Sequence, residues 1–151
     1  MSGGTDIAIL LANMNPTLSA FEVVFCSFPN ASLTDKAFLD PICCFVEPEG
    51  LSLIISRQVA EAHGIPYSVV LQGITLNVHS SLEAVGLTAA VAGRLTRHGI
   101  SANIVAAYYH DHVLSRSQML NGRLRCCARF RRKPRLQAAA MASMSIRILG
   151  P

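Results

Sequence analysis

Ile74-Thr-Leu-Asn-Val-His-Ser-Ser-Leu-Glu-Ala-Val-Gly86, running on through Leu87 to Gly99 and into Ile100-Ser-Ala-Asn103, carries three local signals in a row. Val69 to Val78 is β-branched and apolar, with Leu71, Ile74, Leu76 and Val78 predicting a strand. The polar cluster His79-Ser80-Ser81 interrupts it. Leu82 to His98 then repeats at helical period, with Leu82, Val85, Ala89, Ala92 and Leu95 on one side. Ser80 or Ser81 is placed to cap that helix, Glu83 to sit in its first turn and Gly99 to close it at C′. Ile100 to Tyr108 predicts a second strand, and His110 to Leu114 begins a third.

The flanking sequence fits around this unit. Thr5 to Met14 has Ile7, Leu10, Leu11 and Met14 at helical spacing, with Thr5 as its cap and Pro16 as its stop. Phe21 to Phe28 reads as a strand and Pro29 to Asp40 as a loop. Ile42 to Val46 and Leu51 to Ile55 read as two strands joined by the turn Pro48-Glu49-Gly50. Arg57 to His63 predicts a short helix ended by Gly64 and Pro66. The elements alternate as an α+β fold, with antiparallel sheets covered on one face by helices.

Charge divides the chain near Leu114. Residues 1–114 hold all nine carboxylates and four of the thirteen Lys and Arg residues, whereas residues 115–151 hold nine cations and no carboxylate. Half the chain is apolar, enough for a core without staples, and no run approaches the ~18 apolar residues of a membrane span. Met1 to Asn15 lacks a basic n-region and carries Asp6, unlike a secretory signal. Five cysteines, two pairs of them adjacent at Cys43-Cys44 and Cys126-Cys127, match neither a disulfide framework nor zinc-knuckle spacing. A reduced, cytoplasmic setting is the expectation.

The stretch quoted above, with Val78-His-Ser-Ser-Leu-Glu-Ala-Val-Gly86, Leu95-Thr-Arg-His-Gly-Ile100 and Ala106-Ala-Tyr-Tyr-His-Asp-His112, resembles an ACT domain. More narrowly it is similar to a bacterial subgroup of small, stand-alone paired-ACT proteins. Glu49-Gly50-Leu51-Ser52 fits the first half of the same pattern. The resemblance spans roughly residues 5–114. It implies tandem ferredoxin-like (βαββαβ) units, a degenerate one at 1–65 and an incomplete one at 66–114, followed by a basic tail. It also implies a non-catalytic regulatory module binding a small ligand, most plausibly an amino acid, with no cofactor and as a homodimer. The ligand site it implies is His79, Ser80, Ser81, Leu82, Glu83, Val85 and Gly86, with Asn103, Ile104, Glu49, Gly50 and Ser52.

Beyond Leu114 the family pattern stops. A proline-containing strand and an acidic, alanine-rich helix are due, and Ser115 to Pro134 supplies an Arg-rich segment instead. In a shifted reading frame, a choice of codons exists that yields the expected helix. The second base of each shifted codon is then the first base of the present one. Cys126, Cys127 and Phe130 begin with T and become apolar at helical spacing, while Met119, Asn121 and Lys133 begin with A and become polar. The expectation is a frameshift at or just after codon 114.

Residue chemistry alone weighs the sites as follows. Free N–H groups at the start of the 82–98 helix attract a carboxylate, and His79, Ser80 and Ser81 add side-chain donors; the plainer reading is a capped helix. His110 and His112 on one strand face invite a shared metal ion, and hence a small metal-assisted hydrolase, but no further ligand of fixed spacing completes the set. Cys26 reads as core, Cys43 and Cys44 as one buried and one half-exposed thiol. Glu47 and Glu49 flank a solvated turn. The tail would bind nucleic acid through nonspecific phosphate contacts, with Phe130 its single aromatic. An interaction scaffold with such accidental affinity is the remaining alternative.

Overall fold

The structure is a computed structural model, and it describes residues 3–116. The tail, with Cys126, Cys127 and Phe130 and the frameshift reading attached to it, lies outside the described residues. The elements are α1 (Ile7–Asn13), β1 (Thr17–Phe28), α2 (Leu33–Lys36) with a 3₁₀ turn at Ala37–Leu39, β2 (Cys43–Glu47), β3 (Gly50–Ser56), α3 (Arg57–Ala62), β4 (Val70–Thr75), α4 (Leu87–Arg97), β5 (Asn103–Ala106) and β6 (Asp111–Arg116).

Among the described residues, six strands join one antiparallel sheet in the order β2-β3-β1-β4-β6-β5. The first four in that order form a ferredoxin-like set. β1 and β4 join it to the second half, because β1 pairs β3 at Val23–Phe28 and β4 at Thr17, Leu18 and Glu22–Val24. The register shifts between Leu18 and Glu22, which lets one twelve-residue strand serve both halves.

Period-two alternation sorts the core. Val24 and Cys26 of β1, Leu51, Leu53 and Ile55 of β3, and Ala60 of α3 form one cluster with Leu39. Val70 packs on that cluster, and Ile74, on the same side of β4, belongs to a second cluster under α1 and α4. That cluster contains Leu10, Met14, Leu76, Val78, Leu87, Val91, Leu95 and Val113. The helices therefore lie on one face, as the sequence predicts. The opposite face carries Val23, Ile54, Leu71 and Leu114.

Several expectations shift. The helix expected at 82–98 begins only at Leu87, because Gly86 sits at φ +105, a conformation that ends helical continuity and that side-chain-bearing residues rarely adopt. Its buried stripe is Leu87, Val91 and Leu95, whereas Leu82 and Val85 are exposed at 69% and 89%. Ser81 consequently caps a turn, its Oγ accepting from Glu83 N at 3.2 Å, and neither Ser80 nor Ser81 caps α4. Asp6, not Thr5, caps α1, accepting from the amides of Ala8 and Ile9. The segment expected as a loop at 29–40 contains α2, held by a Ser32–Asp35 capping box. The β2–β3 hairpin and α3 form where expected, α3 with Ser56 as its cap. His110 precedes β6, so the pair His110 and His112 does not share a strand face.

Candidate functional site

The loop from Leu76 to Gly86 lies where β4 leaves the sheet, and three independent contacts fix its first half. Asn77, at φ +49, donates its side-chain amide to Asn15 O and Thr17 Oγ1, both at 2.9 Å. His110 Nδ1 lies 3.3 Å from Val78 O. Gly4 forms a parallel bridge, donating to His79 O and accepting from Ser81 N, each at 2.9 Å. Gly3 lies so close that a Cβ there would run into the backbone of Ser80 and Ser81. This N-terminal strap was missed in the sequence, where its one signal is the pair Gly3-Gly4.

The second half of the loop, Leu82 to Gly86, is held by its own turn, Ala84 N donating to Ser81 O at 2.9 Å, and by Ala84 packing against the α1–α4 cluster. It leads into α4, whose cap position is Gly86 with no side-chain acceptor. Leu87, Thr88 and Ala89 therefore present first-turn amides that no capping side chain takes up, with the positive end of the helix dipole behind them. Exposed apolar groups gather here: Leu82 and Val85 on the loop, Tyr108 and Tyr109 on the β5–β6 turn. Tyr109 packs between Tyr108 and His79, with ring centroids 4.8 and 5.4 Å apart.

Asp111 is the second residue the sequence reading left unassigned as a site. It follows this turn, accepts Leu76 N through its carbonyl, and alternates onto the same sheet face as Val113, whose cluster includes Leu87 of α4. It is 6% exposed. Burial pushes that carboxyl above the usual carboxylate range, partly offset by His112 and His110. Burial and the neighbouring His110 in turn push His112 below the usual imidazole value. His112 Nδ1 lies 3.1 Å from Thr75 Oγ1. Among the described residues, no three His, Cys, Asp or Glu side chains converge as metal ligands would.

The remaining expected site residues lie elsewhere. Leu51, next to Gly50 and Ser52, pairs with Phe28, whereas the loop follows Thr75, which pairs with Thr17 at the other end of β1. Glu49, Gly50 and Ser52 are thus separated from the loop within one chain. Ser52 Oγ donates to Glu47, and Gly50, at φ +133, packs against Phe28 and Pro29. Asn103 begins β5 at the end remote from Tyr108. It lines an open cavity of about 320 Å3 with Phe25, Val69, Leu71 and Arg116. Ile104 packs into the α1–α4 cluster. A second open cavity, about 370 Å3, is lined by Phe21, Gln58 and Arg57, the last paired with Glu22 and Glu61 at 2.9 and 2.7 Å. Cys26 is buried and its thiol pushed up by burial, Cys43 is half-buried and Cys44 exposed.

The fold class is an α+β one: an antiparallel sheet with a ferredoxin-like half and helices on one face. Comparison with known proteins gives the family. Two ACT-domain models match in tandem, over residues 2–72 and 71–121. A Vibrio cholerae protein of unknown function, described as a possible transport protein, is 43% identical with a TM-score of 0.76, over 83% of this chain and 96% of that one. The chain belongs to the ACT-domain family. Fold similarity extends to an Agrobacterium tumefaciens protein (16% identity, TM-score 0.60, 78% and 89% covered). It extends also to the regulatory subunit of aspartate kinase from Thermus flavus (11% identity, TM-score 0.57, 78% and 97% covered). No curated protein matches the chain. Among the described residues no helix is long and apolar enough to cross a membrane.

Proposed function

We propose that the chain is a non-catalytic sensor of a free α-amino acid, bound at the His79–Gly86 loop. The observation that carries this reading is the pairing of opposite demands at one end of the sheet. The uncapped α4 amides seek an anion, and the carboxylate of Asp111, a largely buried residue, seeks a cation. A zwitterion meets both. Its carboxylate accepts from the amides of Leu87, Thr88 and Ala89, and its ammonium faces Asp111. Leu82 and Val85, exposed on the second half of the loop, close over the ligand side chain. Because residues 77–81 are tied to Gly4, Asn15 and Thr17, closure is confined to Leu82–Gly86. Ordering this segment stiffens the packing of α1 on α4 and so carries the signal between the halves.

A thermal-shift screen of the natural amino acids on the chain and on Asp111→Asn tests the reading. At a ligand concentration of ~100 Kd the stabilisation is about 2.7 kcal/mol, a rise in Tm on the order of 5–10 °C for a domain of this size. The shift is expected for a small set of amino acids and is lost in Asp111→Asn. An equal shift in both proteins, or none with any amino acid while the chain is folded by circular dichroism, overturns the reading.

A further inference from the structure

The open cavity of about 320 Å3 around Leu71 lies away from the α4 loop in two respects. Leu71 pairs with Arg116 on one side and Val23 on the other, so one row of residues crosses β6, β4 and β1. Alternation puts Leu71 and Arg116 on the sheet face opposite Ile74 and Val113, which pack under α1 and α4. Along β4 the row sits at the end opposite Thr75, where the loop begins.

The lining is two-sided. On the β5–β6 side stand Ser101, Asn103 and Arg116, and on the β1–β4 side Phe25, Val69 and Leu71, with Ser68 at the entry to β4. Ser115, 1% exposed, donates its Oγ to Ser101 O and so ties the start of β5 to β6, which fixes the polar rim. Phe25 is 39% exposed and forms an open apolar wall. From β6 across β4 to β1 is two strand spacings, about 10 Å.

Charge narrows the occupant. All nine carboxylates of the chain lie between Asp6 and Asp111, and none of them lines this cavity. Ion pairs among the described residues are those of Arg57 with Glu22 and Glu61, so Arg116 has no carboxylate partner there. A guanidinium presents a planar fork that matches a carboxylate. A phosphate monoester brings nearly two negative charges and calls for a second cation, and Arg116 is the only one lining the cavity among the described residues. A small anion without an apolar body would leave the Phe25 wall in water.

We propose that this cavity is a second small-molecule site, for a monocarboxylate that carries an extended apolar body. The carboxylate accepts from the Arg116 guanidinium and the Asn103 side-chain amide. The apolar body lies across Leu71 toward Val69 and Phe25, spanning the row from β6 to β1. A pocket of this size, with one charged group and a few neutral polar groups on an apolar floor, suits a small ligand. The site shares no residue with the His79–Gly86 loop, so failure of either reading leaves the other intact.

Isothermal titration calorimetry of the full chain with sodium octanoate tests this, with octanamide as the uncharged match. Octanoate is expected to bind saturably, one per chain, and octanamide about tenfold or more weaker. Arg116→Gln is expected to weaken octanoate by a similar factor and to leave octanamide unchanged, since the two changes remove the same interaction. Shortening octanoate to hexanoate is expected to weaken binding by up to about fourfold per methylene. Phe25→Ser, at an exposed position, is expected to shrink that dependence on chain length while far-ultraviolet circular dichroism stays unchanged. Octanamide equal to octanoate on the parent chain overturns the proposal without recourse to any variant. So does the lack of saturable binding at millimolar octanoate, uptake of several octanoates per chain, or a folded Arg116→Gln that binds octanoate as the parent does.

Discussion

The two strand-to-helix junctions occupy corresponding places in the two halves and have opposite characters. Between β1 and α2 the chain turns in four residues, and Ser32 and Asp35 satisfy each other's amides, Ser32 N to Asp35 Oδ2 at 2.9 Å and Asp35 N to Ser32 Oγ at 3.3 Å. The Ser32 backbone N–H and hydroxyl, both donating to Oδ2, hold the Asp35 carboxyl below its usual range. Nothing there is left for a ligand. Between β4 and α4 the chain takes a far longer path, enters the helix through a glycine and leaves the first-turn amides uncapped. The two copies of the junction thus differ in one respect that the structure shows plainly: one helix start is capped by side chains and the other is not.

Core truncation should affect the open half most. Leu95, on the α4 stripe and 1% exposed, sits in the cluster that α1 and α4 share. Leu95→Ala is expected to destabilise the fold by about 2–5 kcal/mol in urea unfolding. Next comes the open junction's backbone. A Cβ at Gly86 would meet nothing within 4 Å, so the effect of Gly86→Ala is torsional, about 1–3 kcal/mol. Any amino-acid response should fall with it, and a variant as stable as the parent would show that φ at this cap is free to relax. At the closed junction, Ser32→Ala is expected to lose about 1 kcal/mol and leave any ligand response intact. A changed response would mean that the two loops are coupled.

The smallest effect concerns pH, and two groups pull against each other. His112 binds a proton less readily folded than unfolded, so stability falls as pH drops through the ordinary histidine value of 6.5. Asp111 binds a proton more readily folded, so its contribution is complete below the ordinary carboxylate value of 3.8 and is lost as pH rises through its raised value. Asp111→Asn is therefore expected to raise Tm at pH 7 and to steepen the acid-side decline that His112 causes. His112→Gln should flatten that decline. Tm measured from pH 5 to 8 on the three proteins separates the two groups, and parallel curves would remove both from the balance.

Much of this was legible in the residues. The His79–Gly86 motif marked the family, Pro48-Glu49-Gly50 marked the hairpin turn, and Gly99 marked the end of α4, where it adopts φ +65. The Ser32–Asp35 spacing is that of a capping box, and the helix it starts is only four residues long, too short to show an apolar period. The α4 stripe was not legible in the same way. Residues 82–98 carry two overlapping apolar rows, one through Leu82, Val85 and Ala89 and one through Leu87, Val91 and Leu95, and periodicity cannot choose between rows that share Leu95.

The sequence by itself determined the local turns, the short helices and the alternation that sends every helix to one side of the sheet, because these depend on neighbours a few residues away. Tertiary structure decided the rest. The pairing of β1 with β4, the Gly4 strap across His79–Ser81, the buried row of α4 and the burial of Asp111 all join segments tens of residues apart. Burial belongs to the surface that two elements share, and no window of sequence contains both sides of it.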